Sequence, residues 1–210
     1  MKFSAIILAA GQSERMGAFK PLLPIGNEHS VERCVNVARA AGVEDVIIVT
    51  GHQKIDDVIN VKETGARTVH NEAFLSGMFS SVCTGVRELS GDTDGFFILP
   101  SDCCAVSPHE LKLLLENFGN AAAIPAFGGK RGHPPLIPAH YISELLAYSG
   151  DDGLKGFLRQ LPKIEVEMPR PGTLFDMDTP DDYVKLLKYL GLSPFPAKQL
   201  SMTSKSIKCI

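Results

Sequence analysis

The sequence predicts a doubly wound α/β fold built on a mostly parallel sheet, and three observations carry that reading. Short runs rich in Ile, Val and Phe recur along the chain, segments of helical period separate most of them, and the runs are too uniformly apolar to alternate in polarity. A sheet covered by helices on both faces accounts for all three. The chain has 210 residues, 44% of them hydrophobic and 21% charged, which is ordinary globular composition and enough for one substantial core.

The first strand is expected at residues 3–8. A helix over 31–41 presents Val31, Val35 and Ala38 on one face, and strands at 46–50 and 67–70 follow. Met78, Val82, Val86 and Leu89 mark a helix over 78–89 that leads to a strand at 95–99. Residues 109–118 supply Leu111, Leu114, Leu115 and Phe118 to another helix, before a strand at 121–125. Residues 128–135 are rich in glycine and proline and break the pattern, which resumes with a late strand at 164–168. Thr179-Pro180-Asp181-Asp182 is a helix start: threonine caps, proline fits the first turn, and the aspartates face the positive end of the macrodipole. That helix is expected to end near Gly191, so residues 1–191 read as one domain and 192–210 as a C-terminal extension.

A formal net charge of −3 argues against nucleic acid or an anionic membrane as partner and confines any anion site to a local patch. Lys2 leads straight into the first strand without the apolar region of a signal peptide, and no run is long enough to span a bilayer, so a cytoplasmic protein is expected. Cys34, Cys83, Cys103, Cys104 and Cys209 form an odd, scattered set without a C-x-x-C pair, which fits reduced thiols. Cys103 and Cys104 are read as small buried hydrophobes whose side chains, in a strand, would point to opposite faces.

The chemistry concentrates where the first strand ends. Leu8-Ala9-Ala10-Gly11-Gln12-Ser13-Glu14-Arg15-Met16-Gly17-Ala18-Phe19-Lys20 combines small residues that let backbone N–H groups approach a ligand with two cations suited to a polyphosphate. It matches neither the Walker A spacing nor the dinucleotide fingerprint, because five residues separate Gly11 from Gly17 and Lys20 comes three later. Ligands of doubly wound sheets bind beyond the carboxyl ends of the strands, which gives weight to Gly11, Gly51, Asn71 and Asp102. A carboxylate at Asp102 beside polyphosphate is explained by Mg²⁺, which one or two carboxylates and substrate phosphates hold. Asp178, just before the last helix, is the second candidate ligand, and Asp176 would share its face in an extended segment.

Taken together, the L-A-A-G-x-S-x-R-M-G-x-x-K opening, Asn71 with Gly77-Met78, the strand ending in Asp102, Gly129-Lys130-Arg131-Gly132-His133-Pro134, Gly150-Asp151-Asp152-Gly153 and Asp176-Met177-Asp178-Thr179-Pro180-Asp181-Asp182-Tyr183 resemble the molybdenum cofactor nucleotidyltransferases. The resemblance runs colinearly over residues 3–190 and is greatest to the cytidylyltransferase branch. It implies a Rossmann-like, GT-A-like architecture shared with the nucleotide-diphospho-sugar transferases. It also implies Mg²⁺-dependent attack by the terminal phosphate of molybdopterin on the α-phosphorus of CTP, with release of pyrophosphate and with molybdenum hydroxylase maturation proteins as further partners.

By motif, Leu8, Ala9, Ala10 and Gly11 would contact the nucleotide, Arg15 and Lys20 its phosphates, and Asp102 and Asp178 the metal. Asn71, Gly77, Met78 and Ser81 would complete the nucleotide site, and Arg131, Gly132, His133 and Pro134 the acceptor side. Arg15, Lys20 and Asp102 form the implied catalytic set. Ala10 stands where guanylyl members carry a second glycine, which favours cytosine. Cys103-Cys104 replace the Gln-Pro that commonly follows the aspartate, and Lys155 stands where arginine is common. GTP or another NTP, a sugar-phosphate acceptor, and a nucleotide- or cofactor-binding protein without catalysis are the rival readings.

Overall fold

The computed structural model describes residues 1–53, 55, 59 and 61–193. The chain opens with β1 (Phe3–Ala9), a short hairpin of β2 (Pro24–Ile25) and β3 (Glu28–His29), then α1 (Ser30–Ala40) and β4 (Asp45–Thr50). It continues through α2 (Val61–Thr64), β5 (Arg67–His70), α3 (Met78–Arg87), β6 (Gly95–Pro100), α4 (Pro108–Glu116) and β7 (Ala122–Phe127). The last part holds β8 (Lys130–Arg131), β9 (Leu136–Pro138), α5 (Ile142–Ala147), α6 (Gly153–Gln160), β10 (Lys163–Glu167) and α7 (Pro180–Tyr189).

Eight strands form one sheet in the order β10-β7-β9-β6-β1-β4-β5, with β8 paired to β7. β1 pairs in parallel with both β4 and β6, and β5 and β10 pair in parallel with β4 and β7. β9 is antiparallel to β6 and β7, so the sheet is mostly parallel, as the sequence predicts. Ala5, Ile7 and Ala9 of β1 join the core under α1, α4 and α7, whereas Ile6 and Leu8 join the core under α3, α5 and α6. That two-sided burial is why the strand reads as an unbroken apolar run.

The predicted strands appear within two residues of their expected ends. β9 was not anticipated, because three residues ending in proline directly after a Gly/Pro-rich segment carry no period. α5 and α6 were also missed. Glycines at 153 and 156 depress helix propensity, and Gly156 is required because a Cβ there would run into the Asp151 carbonyl and the Tyr148 hydroxyl. The helix over 78–89 stops at Arg87. Cys103 and Cys104 lie in the turn after β6 rather than in a strand, and both face one core cluster instead of opposite faces. Their burial, 3% and 1% exposed, agrees with their reading as small hydrophobes.

α7 ends in a Schellman arrangement: Gly191, at φ 72°, donates to the Lys188 carbonyl and Leu192 donates to Leu187 at 2.8 Å. Leu192, expected to begin a loose extension, is thus tied to the helix and packs beside Gly26. The rest of that extension lies outside the described residues from 194 onward.

α3 packs on β1 and β4 through Gly85, whose missing side chain admits Ile6 and Val49. Gly85→Ala is expected to destabilise the fold by up to about 2 kcal/mol. Overpacking of about 1–3 kcal/mol outweighs the roughly 1 kcal/mol alanine gains in helix propensity. A lower urea midpoint at unchanged slope would register this.

Candidate active site

A cleft of about 440 Å³ opens at the carboxyl ends of β1 and β6. This is where the order of connections reverses in the sheet, the position at which such folds bind ligands. Leu8, Ala9, Ala10 and Gly11 line one wall, Gly77, Met78 and Ser81 another, and Asp102 the floor with Pro100 and Ser101. A Cβ on Gly11 would meet nothing within 4 Å, so open space stands where a ligand approaches the backbone. Gly51 serves a different end, because a Cβ there would lie 2.6 Å from Phe74 and 2.8 Å from Ala10. Its absence lets the segment carrying Phe74 close onto the glycine loop.

The loop keeps its shape through its own residues. Ser13 adopts the left-handed conformation at φ 58°, a single turn spans Glu14–Met16, and Gly17 at φ 69° ends it. Met16 is buried and anchors the turn, while the Ser13 hydroxyl accepts from the backbone N–H of Lys20 at 3.0 Å. Lys20 is thereby aimed back beneath the loop.

Lys20 Nζ lies 2.7 Å from Asp102 Oδ2 and 2.7 Å from Asp178 Oδ1, and its side chain is only 14% exposed. Arg15 Nη2 reaches the other oxygen of Asp178 at 2.9 Å from a side chain that is 73% exposed. Burial works to strip the proton from Lys20, but the two carboxylates outweigh it and raise its pKa above the ordinary lysine value. The hydrogen bond from Lys20, with the charges of Lys20 and Arg15, holds Asp178 below the usual carboxylate range against a smaller opposing effect of burial.

Asp178 is placed by the start of α7. Thr179 caps that helix, its hydroxyl accepting from Asp182 N–H at 3.3 Å and donating to Asp182 Oδ2 at 2.6 Å, while Asp182 accepts the Thr179 N–H. Met177, fully buried, pins the chain immediately before, so Asp176 and Asp178 flank it on one side.

The remaining predicted residues stand in two groups. Asn71 is 3% exposed and spends its side chain on Ser80, Ser81 and the Ala73 N–H, so it organises the cleft wall from behind rather than lining it. Arg131, Gly132, His133 and Pro134 sit outside the cleft lining. Arg131 pairs with Glu165 at 2.6 Å, and Gly132 has no room for a side chain against the Thr173 carbonyl. His133 is exposed, yet protein atoms crowding its ring lower its pKa, with Asp102 and Asp176 pulling the other way. Residues the sequence reading passed over include Gln12, Glu14, Phe74 and Leu75 in the cleft. Leu75, 74% exposed, sits next to a predicted glycine-helix junction, which was the available signal.

This fold, with a loop of small residues, two cations and two convergent carboxylates at the sheet switch point, defines a nucleotidyltransferase of nucleotide-diphospho-sugar transferase architecture. A model of the MobA-like NTP transferase domain matches residues 5–165, and the chain belongs to that family. It is similar to the molybdenum cofactor cytidylyltransferase of Escherichia coli K12, 24% identical over 85% of this chain and 92% of that protein. It is also similar to a probable molybdenum cofactor guanylyltransferase of Natranaerobius thermophilus, 27% identical over 90% and 96%. Among solved structures, a nucleotidyl transferase of Methanothermobacter thermautotrophicus superposes with a TM-score of 0.79 at 25% identity, covering 90% of this chain and 98% of that one.

Nucleotidyltransferases of this kind use a divalent metal. The residues fit one: no group of three or more His, Cys, Asp or Glu able to hold a metal occurs among the described residues, but Asp102 and Asp178 turn hard oxygen donors toward one shared cation. Mg²⁺ typically takes such a pair and completes its shell with substrate phosphates and water. Among the described residues, no helix is long and apolar enough to cross a membrane.

The cap that places Asp178 is testable by itself. Thr179→Ala is expected to lower unfolding free energy by about 1 kcal/mol, the usual cost of losing such a cap, as read from chemical denaturation.

Proposed function

We propose that this protein transfers CMP from CTP to the terminal phosphate of molybdopterin, with Mg²⁺ as cofactor and pyrophosphate as the second product. The observation that carries the reading is the meeting of Lys20, Arg15, Asp102 and Asp178 at one end of the glycine-loop cleft. In the reaction, an oxygen of the acceptor phosphate bonds to the α-phosphorus of CTP while the bond from that phosphorus to the bridging oxygen breaks. The nucleophile is already an anion, so the site needs positive charge and alignment rather than a strong base.

Lys20 and Arg15 supply that charge to the phosphates. Arg15, exposed and held by one carboxylate oxygen, is free to turn toward the triphosphate. Leu8 to Gly11 offer backbone to the nucleotide, with Gly77, Met78 and Ser81 opposite and Asn71 steadying Ser81. Asp102 and Asp178 would hold Mg²⁺, which when bound neutralises charge on the phosphates. Arg131, Gly132, His133 and Pro134 are assigned to the acceptor side, where His133 positions rather than abstracts a proton. Residues 1–191 form the single catalytic domain, residues 192–210 its extension, and the protein works in the cytoplasm beside molybdenum hydroxylase maturation partners.

Asp102→Asn and Asp178→Asn are each expected to cut pyrophosphate release from CTP and molybdopterin by about two orders of magnitude or more, with the fold intact by circular dichroism. Full turnover in folded Asp102→Asn would remove that residue from the mechanism. In a thermal-shift panel, CTP is expected to raise the melting temperature more than GTP, ATP or UTP. A larger GTP shift would move the assignment to guanylyl transfer, and tight nucleotide binding with no pyrophosphate released with any acceptor would make the protein a binder.

A further inference from the structure

We infer that Lys20 is a built-in placeholder for the divalent cation, so that metal and triphosphate enter the cleft as a coupled pair rather than independently. The inference rests on the proposed nucleotidyl transfer and adds how its site is kept closed to a lone ion. Three observations support it. The Lys20 ammonium sits 2.7 Å from one oxygen of each candidate metal ligand. It is anchored there by a loop whose Ser13 hydroxyl holds the Lys20 N–H, and its side chain is largely sheltered from water. Arg15 Nη2 takes the other oxygen of Asp178 at 2.9 Å, so both candidate ligands already face cations.

The charges explain the coupling. Lys20 and Arg15 balance Asp102 and Asp178, leaving this quartet without net charge toward either ligand. A lone divalent ion would have to displace an ammonium with no other anion within the quartet to receive it. A lone triphosphate drawing Lys20 away would leave two carboxylates unpaired and facing the incoming anion. When both arrive, Lys20 exchanges carboxylate oxygens for phosphate oxygens and the carboxylates exchange an ammonium for the metal. Each charge keeps a partner throughout. Binding of each ligand therefore strengthens the other, beyond the direct contact between metal and phosphate.

The test measures Mn²⁺ binding to purified protein by electron paramagnetic resonance, together with melting temperature. Mn²⁺ alone is expected to bind the unaltered protein weakly and leave its melting temperature unchanged, whereas Mn²⁺ with CTP raises it. Lys20→Met, of similar reach without charge, is expected to melt lower without metal, to bind Mn²⁺ alone about tenfold tighter or more, and to regain stability with Mn²⁺. Asp102→Asn added to Lys20→Met should erase that rescue. Arg15→Met, which removes a charge at the outer oxygen of Asp178, should tighten Mn²⁺ binding far less. Should Lys20→Met not fold, Lys20→Gln carries the same expectation.

Equal Mn²⁺ affinity in Lys20→Met and unaltered protein, or equal tightening in Arg15→Met, would overturn the placeholder while leaving nucleotidyl transfer standing. Failure of Mn²⁺ to bind any of these proteins even with CTP would overturn both.

Discussion

One ammonium group holds the working end of this molecule together. Lys20 bonds to Asp102, 82 residues away, and to Asp178, 158 residues away, and so joins the loop after β1, the turn after β6 and the approach to α7. Charge-assisted bonds of this kind are strong when sheltered, and leaving either carboxylate unpaired at this depth would cost more than the pair contributes. The three segments must therefore arrive in register, and the rest of the fold can be understood as the means of bringing them there.

The sheet does most of that work. β1 is flanked on both sides by parallel partners, so its carboxyl end and that of β6 emerge side by side, and Ser101 N–H donates to the Leu8 carbonyl across them at 3.1 Å. Beneath the turn after β6, Ser30 of α1 donates to the Ser101 carbonyl, and the Arg33 guanidinium donates to that of Cys104 at 2.7 Å. The turn that presents Asp102 is thus held by the first helix as well as by its own strand. Cys103 and Cys104 fill the space below it as buried thiols whose pKa values burial raises, Cys104 to about 11, so both remain protonated packing groups. Both thiols join the core cluster below that turn, while the Asp102 carboxylate stays on Lys20 at 2.7 Å.

Much of this was legible before any coordinates. Alternating buried strands and helices gave the layer order, since a strand buried on both faces and a helix buried on one leave different periods. The small-residue loop, Arg15, Lys20, Asp102 and Asp178 were all recognisable from residue type and position after a strand or before a capped helix. The short β9, α5 and α6 were not, because their burial comes from neighbours rather than from any periodicity of their own. Asn71 shows the same limit within the site: its position after β5 suggested a ligand contact, while its amide is taken up by Ser80, Ser81 and Ala73.

By itself, the sequence determined the class of fold, the place of the small-residue loop and the identity of the charged residues, because periodicity, capping and residue chemistry are local properties. Only the tertiary structure decided that Lys20 lies between the two carboxylates and that Arg131 is turned to Glu165 instead of the cleft. Those pairings join residues far apart in the chain, and which cation meets which carboxylate depends on how the sheet stacks their strands and on which side chains are sheltered enough for the choice to matter.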